Sequence, residues 1–432
     1  MAQKEKKGLK GYYLTTFLIG LGFFTMGLMD PLYDTYVPIF LGEYIDKNFL
    51  IGMIMTLDNV RAIFMIPLFS AISDRTRTSI GRRMPYIVSF LPITALFFGL
   101  IPFSALNSLL MLVLVIFLLN IFKQAVRGPV VALMPDIVPA DLRSEANGVI
   151  NTMGGMATIL GTVVLARLMN VHVRFPWMSE ARDNILAFPV ASIFVLLSVL
   201  LLFIFVKEKA NAEEAEKEDK EPIFKSMKAI FLEKEKSALF ILLSLLCWFI
   251  AYQGILPYVG KYSLEVLGTS KGTASLAAGM VGIAYALFAV PSGKLAHRIG
   301  RRKTIRIALC GAIVVLTLVA IHGFISINVR SAVMLYVFWA LIFLFGIFWV
   351  SIVTNSFPML WQMATYKTMG IYTGVYYFFS QLASIISPPI AGGVTDLWGY
   401  PALFIFGALF MAIAFVLMSF VHRGEPEEEV EK

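Results

Sequence analysis

Four charged residues lie inside long apolar stretches near the start of the chain, where an ionised side chain is costly. Asp30 and Asp34 are one helical turn apart, and Asp58 and Arg61 have the spacing i, i+3, so each pair shares a helix face. A carboxylate beside an arginine can bind and release a proton as the pairing changes. We expect Asp58 to be the leading proton-coupling group, with Arg61 as its partner and with Asp34 and Asp30 as further candidates. The alternative is a permanent Asp58–Arg61 ion pair that only orients the helix.

Amide and aromatic side chains recur at helical spacing in other apolar stretches. One stripe, with positions i, i+4, i+8 and i+11 and a parallel aromatic row, consists of Thr373, Tyr377, Gln381 and Ser384, flanked by Tyr372 and Tyr376. Amides hydrogen-bond hydroxyl groups and aromatic rings cover C–H surfaces, which is typical of a concave sugar site. Further candidates of the same chemical type are Tyr33, Asn120, Gln124, Asn151, Trp248, Tyr252, Gln253, Trp349 and Asn355. For each aromatic residue the alternative is packing or anchoring at the membrane interface.

Composition indicates the elements that must position these residues. The 432 residues are 58% hydrophobic and only 15% charged, with a mean hydropathy of +0.79, which excludes a water-soluble protein. An apolar run of about 20 residues crosses about 30 Å of hydrocarbon as a helix. Twelve such runs occur, at 13–42, 50–73, 85–103, 107–135, 143–169, 185–206, 237–260, 272–293, 304–325, 331–357, 368–394 and 400–421. The sequence therefore predicts an all-α membrane protein with twelve transmembrane helices.

The distribution of Lys and Arg predicts the orientation. With the N-terminus inside, the inner segments hold 26 of these residues and the outer loops hold 6, so the positive-inside rule places both termini in the cytoplasm. The pI of about 9.3 then reflects topology and anionic headgroups, and no nucleic-acid partner is expected. The charged segment 207–236 divides the chain into an N-terminal bundle, 1–206, and a C-terminal bundle, 237–421, followed by a cytoplasmic tail, 422–432.

A basic loop motif occurs once in each half. The first copy contains Asp74, Arg75, Gly81, Arg82 and Arg83, and the second contains Gly293, Arg298, Gly300, Arg301 and Arg302. The two Gly-Arg-Arg triplets are separated by about half the chain. Because arginines can hold helix-end carbonyls or carboxylates, we expect these loops to form a cytoplasmic gate, extended by Arg127, Asp136, Arg143 and Glu145. The alternative is that the arginines only set the topology.

Six helices, a linker and six further helices with a repeated loop motif resemble the major facilitator superfamily. The second loop is similar to its signature Gly-x-x-x-Asp-Arg-x-Gly-Arg-Arg, with His297 at the acidic position. The longer first loop and the segments 127–136 and 142–147 resemble the glycoside–pentoside–hexuronide family and the sucrose transporters. The resemblance implies two pseudo-symmetric six-helix bundles with a central cavity. It also places Asn120 where the plant sucrose transporters have a coupling aspartate, so coupling here must use another carboxylate or be absent.

The resemblance implies a secondary transporter, and we expect a proton-coupled symporter of a sugar or glycoside in a bacterial inner membrane. The alternatives are a sodium-coupled sugar symporter, an uncoupled facilitator, an exporter of amphipathic solutes, and a non-transporting sensor. No enzyme activity, cofactor or metal site is expected, because the four histidines lack ligand spacing and no P-loop is present. The expected partners are the substrate, a coupling cation (a proton is favoured over sodium) and the lipid bilayer, and we expect a monomer.

Overall fold

The computed structural model describes residues 12–138, 143–176, 178, 180–208, 235–329, 331–363 and 369–424. Twelve long helices form this part of the chain, and its only pairing of extended backbone is an isolated bridge between Val173 and Arg182. The predicted all-α architecture is confirmed. In chain order the helices are α1 (Tyr13–Leu41), α2 (Asn48–Arg75), α3 (Met84–Ala105), α4 (Leu109–Ile137), α5 (Arg143–Ile159), α6 (Ala187–Phe205), α7 (Ser237–Glu265), α8 (Leu276–Ile299), α9 (Arg301–Ser326), α10 (Ala332–Trp361), α11 (Met369–Trp398) and α12 (Tyr400–Ser419).

Local sequence signals explain several helix boundaries. The side chains of Ser108 and Ser331 accept hydrogen bonds from backbone N–H groups at the starts of α4 and α10, as N-cap residues do. Gly300 and Gly399 have φ values of 91° and 78° and each separates two consecutive helices. A side chain is strained in this left-handed region, which glycine adopts readily.

Eleven helical segments in the described part of the chain are long and apolar enough to cross a membrane. The remaining predicted span, 368–394, coincides with the 30-residue helix α11. The predicted fifth span is less regular than expected, because α5 continues as a π-helical turn, Leu160–Val164, and then as a 3₁₀ segment, Leu165–Asn170. The protein is therefore a multi-pass membrane protein.

The helices pack into two compact units. Unit 1 contains Met1–Tyr44, Asp58–Glu216 and Ser270–Ser275, and unit 2 contains Ile45–Leu57, Lys217–Thr269 and Leu276–Lys432. In unit 1, α1 packs against α5 and α6, and α3 packs against α4 and α6. In unit 2, α7 packs in the same way against α11 and α12, and α9 against α10 and α12. The repeated packing pattern agrees with the repeated loop motif of the sequence.

The beginning of α2 packs within unit 2, although most of α2 belongs to unit 1. The Asp396 carboxylate on α11 accepts hydrogen bonds from the backbone N–H groups of Asn48 (2.8 Å) and Phe49 (2.9 Å), which satisfies donors that a helix start leaves unpaired. Tyr258 on α7 donates to the Asn48 carbonyl at 2.8 Å, and Lys261 donates to the Asn48 side-chain oxygen at 2.7 Å. Asn48 thus ties this helix end to α7 and α11.

Two glycines allow α1 and α5 to approach closely in unit 1. A methyl group added at Gly27 would lie 2.9 Å from the carbonyl carbon of Gly154, well inside van der Waals contact. The Thr158 hydroxyl hydrogen-bonds the Gly27 carbonyl at 3.1 Å beside this contact. Small residues at a helix crossing are a common means of association in membranes, so Gly27 is required by packing.

The crossing can be tested with a matched pair of substitutions. Gly27→Ala should destabilise the protein by about 1 to 3 kcal/mol, the usual cost of overpacking, and lower its melting temperature in detergent. Gly155→Ala is the control, because a methyl group at Gly155 meets no described atom within 4 Å. Equal melting temperatures for the two variants, measured by intrinsic fluorescence, would contradict the proposed close contact.

Candidate functional site

Unit 1 contains a buried cluster of charged and amide side chains from α1, α2 and α4. Lys123 on α4 lies at its centre, with its Nζ 2.8 Å from Asp30 Oδ1 and 3.4 Å from Asp58 Oδ2. The Lys123 side chain is only 8% exposed. A buried ammonium is tolerated only when it is paired, and here two carboxylates share one cation.

Asp58 and Arg61 form no ion pair with each other in this structure, which contradicts the alternative of a permanent pair and corrects the expectation that Arg61 is the partner of Asp58. Asp58 instead contacts Lys123, and it accepts a hydrogen bond of 2.6 Å from Gln124 Nε2. The Arg61 guanidinium lies over the ring of Phe117 on α4, 4.3 Å from its centroid, a cation–π contact. Asp58 and Arg61 share one face of α2, as their spacing predicts, but each of them contacts a different side chain of α4.

Tyr33 and Asn120 adjoin this cluster and are hydrogen-bonded to each other. Asn120 Nδ2 donates to the Tyr33 hydroxyl at 2.9 Å, and the Lys123 ammonium lies 4.8 Å from the centroid of the Tyr33 ring. Asp34 is half-buried and forms no ion pair with a described residue. The structure therefore brings together Asp30, Tyr33, Asp58, Asn120 and Gln124, and it adds Lys123.

Lys123 was absent from the predicted coupling residues, although the sequence contained a signal for it. It is one of the few cations inside a predicted span, and a charge in that position is a functional candidate by default. Its partners lie 93 and 65 positions earlier in the chain (123 − 30 and 123 − 58). The spacing rules within one helix cannot identify such a partner.

A second ionic cluster lies at the loop between α2 and α3. Arg82 donates to both carboxylate oxygens of Asp136 at 2.9 and 2.6 Å, and Arg83 donates to Asp136 Oδ2 at 2.9 Å. Arg83 also pairs with Asp74 and donates to Ser73 Oγ at 2.5 Å. The hydrogen bonds to Asp136 raise the pKa of the Arg82 guanidinium above its ordinary value, so this arginine is charged at any physiological pH.

Glu208, just beyond α6, completes this cluster and was missed by the sequence analysis. Its Oε2 accepts hydrogen bonds from the backbone N–H groups of Arg83 (2.8 Å) and Met84 (3.1 Å), at the start of α3. The residue is only 8% exposed. Because Glu208 lies at the edge of a strongly charged segment, nothing in the sequence distinguished it from the acidic residues there that are expected to be solvent-exposed. Of the other predicted gate residues, Arg75 is exposed and Arg127 is half-buried; the side chains of Arg143 and Glu145 lie outside the described residues.

The second loop copy has different partners. Arg301 donates to the Pro358 carbonyl at 3.3 Å, and Arg302 donates to the Ser419 carbonyl at 2.8 Å. These carbonyls lie near the ends of α10 and α12, where unpaired carbonyls attract cations. Gly293 is half-buried and Arg298 is exposed. Thus the first copy holds carboxylates, whereas these contacts of the second copy are to helix-end carbonyls.

Aromatic and amide candidates meet on α7, α10 and α11 of unit 2. The rings of Tyr252 and Trp349 stack with centroids 4.1 Å apart and an interplanar angle of 6°. Gln253 Nε2 donates to Ser384 Oγ at 2.9 Å, so the amide is held beside the α11 stripe. These two pairs, which include consecutive residues of α7 and are called here the aromatic–amide cluster (Tyr252, Gln253, Trp349 and Ser384), consist of side-chain types that bind hydroxylated solutes.

The remaining predicted binding residues differ in exposure. Tyr377 is 57% exposed and Gln381 is half-buried, whereas Tyr372 and Tyr376 are buried. Trp248 is fully buried in the core of unit 2. Asn355 is also buried and hydrogen-bonds Ser292 on α8 at 2.9 Å, a packing role. The side chains of Asn151 and Thr373 lie outside the described residues.

No group of three or more His, Cys, Asp and Glu side chains could hold a metal ion in the part of the chain that the structure describes. Cys247 and Cys310 are both free thiols there.

Comparison with known proteins agrees with this fold. The chain is 23% identical over 326 residues to the uncharacterised MFS-type transporter YfmI of Bacillus subtilis (strain 168), a match that covers 73% of this chain and 75% of the relative. Among solved structures, a bacterial homologue of the human lysosomal transporter Spinster has a TM-score of 0.70 at 13% identity, with 95% of each chain covered. A mutant of the nucleoside transporter NupG has a TM-score of 0.71 at 13% identity, covering 94% of this chain and 100% of that one.

The transporter FucP in its outward conformation has a TM-score of 0.56 at 16% identity, covering 95% of this chain and 99% of that one. At these identities the solved structures show the fold alone. The family model of the Major Facilitator Superfamily matches residues 13–387 and 264–432, which include nearly the whole chain. The protein with these two polar clusters therefore belongs to the Major Facilitator Superfamily of membrane transporters.

Proposed function

We propose that the chain is a proton-coupled symporter of a sugar or glycoside that works by alternating access. The observation that carries the proposal is the buried cluster of Asp30, Asp58 and Lys123, in which carboxylates and an ammonium compensate one another inside membrane-spanning helices. Such intramembrane charges mark ion and proton pathways. The aromatic–amide cluster of unit 2 supplies the complementary feature, a set of hydroxyl-binding side chains.

Asp58 is the proposed proton-binding group, because it can exchange partners. When ionised, it accepts from Lys123 and Gln124. When protonated, it no longer needs the ammonium, which can then pair with Asp30 alone. Protonation of Asp58 thus removes one negative charge from the buried cluster. Because conformations that expose the cluster to water tolerate this charge better than conformations that do not, protonation shifts the equilibrium between them.

The proposal includes the organisation expected from the sequence. Two six-helix bundles, 1–206 and 237–421, are joined by the linker 207–236, and the tail 422–432 and the N-terminus lie in the cytoplasm. The protein would act as a monomer in a bacterial inner membrane. The resemblance of the first loop to the glycoside–pentoside–hexuronide family and the sucrose transporters supports a sugar substrate.

The decisive experiment is counterflow in proteoliposomes over a panel of radiolabelled mono- and disaccharides. We expect exchange of at least one saccharide without a gradient, and its concentration inside the vesicles when an inward proton gradient is imposed. If no saccharide exchanges although the reconstituted protein is folded, the proposed substrate class is wrong.

Asp58→Asn tests the proton-binding group. The variant mimics protonated Asp58, so saccharide exchange should persist while accumulation driven by a proton gradient should be lost. Asp34→Asn is the matched control, because Asp34 forms no ion pair with a described residue. The assignment moves to α1 if Asp34→Asn abolishes accumulation and Asp58→Asn does not. Normal accumulation in both variants would exclude a carboxylate switch in these two helices.

The loop cluster around Asp136 generates a second prediction, for a gate that must form and break during transport. Replacing Arg82 and Arg83 with alanine should leave insertion intact but lower the maximal uptake rate by about tenfold or more, which corresponds to a loss of about 1.4 kcal/mol. Arg77→Ala is the control, because Arg77 in the same loop donates only to the Asp74 and Thr76 carbonyls. Unchanged uptake in the double variant would reduce the motif to a topology signal.

Substrate binding generates a third prediction. Tyr377→Ala and Gln381→Ala should each weaken saccharide binding by about 1 to 3 kcal/mol, through lost ring contact and an unpaired polar group on the substrate. Tyr336→Ala provides the comparison, since Tyr336 is similarly exposed at 64% but lies on α10 against Trp339. Binding measured in detergent with unaltered affinity in both α11 variants would place the site elsewhere.

A further inference from the structure

The Lys123 ammonium lies close to the carboxylate oxygens of two aspartates. Asp30 Oδ1 and Asp58 Oδ2 lie 2.8 and 3.4 Å from Nζ, and the Tyr33 ring faces it from one side. Carboxylate and carbonyl oxygens are the ligands that hard metal cations prefer. The cluster therefore has the donor chemistry of a small-cation site, with a side-chain cation inside it.

Two amide side chains of α4 that hydrogen-bond members of this cluster each carry a buried oxygen without a hydrogen-bond partner. Gln124 must turn its nitrogen toward Asp58, because an ionised carboxylate only accepts hydrogen bonds. Its Oε1, and the Oδ1 of Asn120 one turn away on α4, are buried and accept no hydrogen bond from a described residue. Both residues are at most 2% exposed. An unpaired amide oxygen at this depth costs free energy and is an available ligand for a cation.

Charge balance indicates why a lysine can stand in for a metal ion. A sodium ion and an ammonium group carry the same charge, and both are attracted by a pair of carboxylates. The ammonium is attached to α4, so its local concentration is far above that of any free ion. The other charged side chains near the cluster are Asp34 on α1, Arg61 on α2 and Arg127 on α4. A free cation would have to displace Lys123 from both carboxylates.

We propose that the Lys123 ammonium is a built-in cation that occupies the place of an alkali ion between Asp30 and Asp58. It follows that the protein binds no sodium at this cluster and that no sodium gradient is coupled through Asp30 and Asp58. It also follows that removing the ammonium converts the same oxygens into a sodium site. The consequence for transport rests on the proposed function, whereas the consequence for ion binding does not.

The test is thermal unfolding of the full-length protein in detergent, with NaCl exchanged for choline chloride at constant ionic strength. The wild-type protein should show the same melting temperature in both salts. Lys123→Ala should gain a sodium-specific increase of about 3 °C or more at 100 mM, as expected when a ligand binds only the folded state. Lys123→Arg retains a cation and should show no increase.

A second set of variants keeps the test decisive. Lys123→Ala combined with Asp58→Asn should lose the sodium effect, because one carboxylate and the contact with Gln124 are altered. If Lys123→Ala alone does not fold, Lys123→Gln retains both carboxylates beside a neutral polar side chain and should show the same sodium-specific increase. A sodium-specific increase in the wild-type protein would overturn the proposal. So would the absence of one in every folded variant that lacks Lys123 but retains Asp58.

The two proposals can fail separately. Uptake by the wild-type protein with choline in place of sodium should be unchanged, and sodium-dependent uptake together with a sodium-specific increase in the wild-type melting temperature would overturn the built-in cation while leaving a saccharide symporter. An absence of saccharide exchange would refute the proposed function, but a sodium-specific increase in Lys123→Ala alone would still support the inference about Lys123.

Discussion

Charge compensation inside the membrane-spanning helices is the constraint on which the arrangement of unit 1 depends. Asp30, Asp58 and Lys123 come from three different helices, and an unpaired charge on the buried Asp58 or Lys123 would be costly there. Their contacts fix how α1 and α2 meet α4 at this depth. Gln124 and Asn120, on the same helix as the lysine, orient the adjoining Asp58 and Tyr33 side chains. Helix α4 therefore supplies both the central cation and its hydrogen-bonding surroundings.

The arginines of the two basic loops are also compensated by acceptor groups, but the acceptors differ between the loops. In the first loop, Arg82 and Arg83 share the Asp136 carboxylate, and Glu208 binds the N–H groups at the start of α3. In the second, Arg301 and Arg302 donate to main-chain carbonyls near helix ends. Charge-assisted contacts to carboxylates are stronger and more directional than those to carbonyls.

Helix α2 takes part in side-chain contacts at both of its ends. Its first turn is tied to α7 and α11 through Asn48, Tyr258, Lys261 and Asp396. Its last turn carries Asp74, which pairs with Arg83.

The sequence by itself determined the number of helices, the membrane class, the repeated loop and the identity of the superfamily. Each of these follows from local composition and from sequence patterns that can be recognised without knowing which residues are in contact. It also identified Asp30, Asp58, Asn120 and Gln124 as unusual. It could not pair them, because helical spacing relates residues within one helix, whereas Asp58 is compensated by a lysine 65 positions away. The tertiary structure alone decided that Arg61 packs on Phe117, that Trp248 is a core residue and that Glu208 joins the loop cluster. These outcomes depend on which helices are neighbours, and in a long apolar chain many helix pairings satisfy the same local pattern.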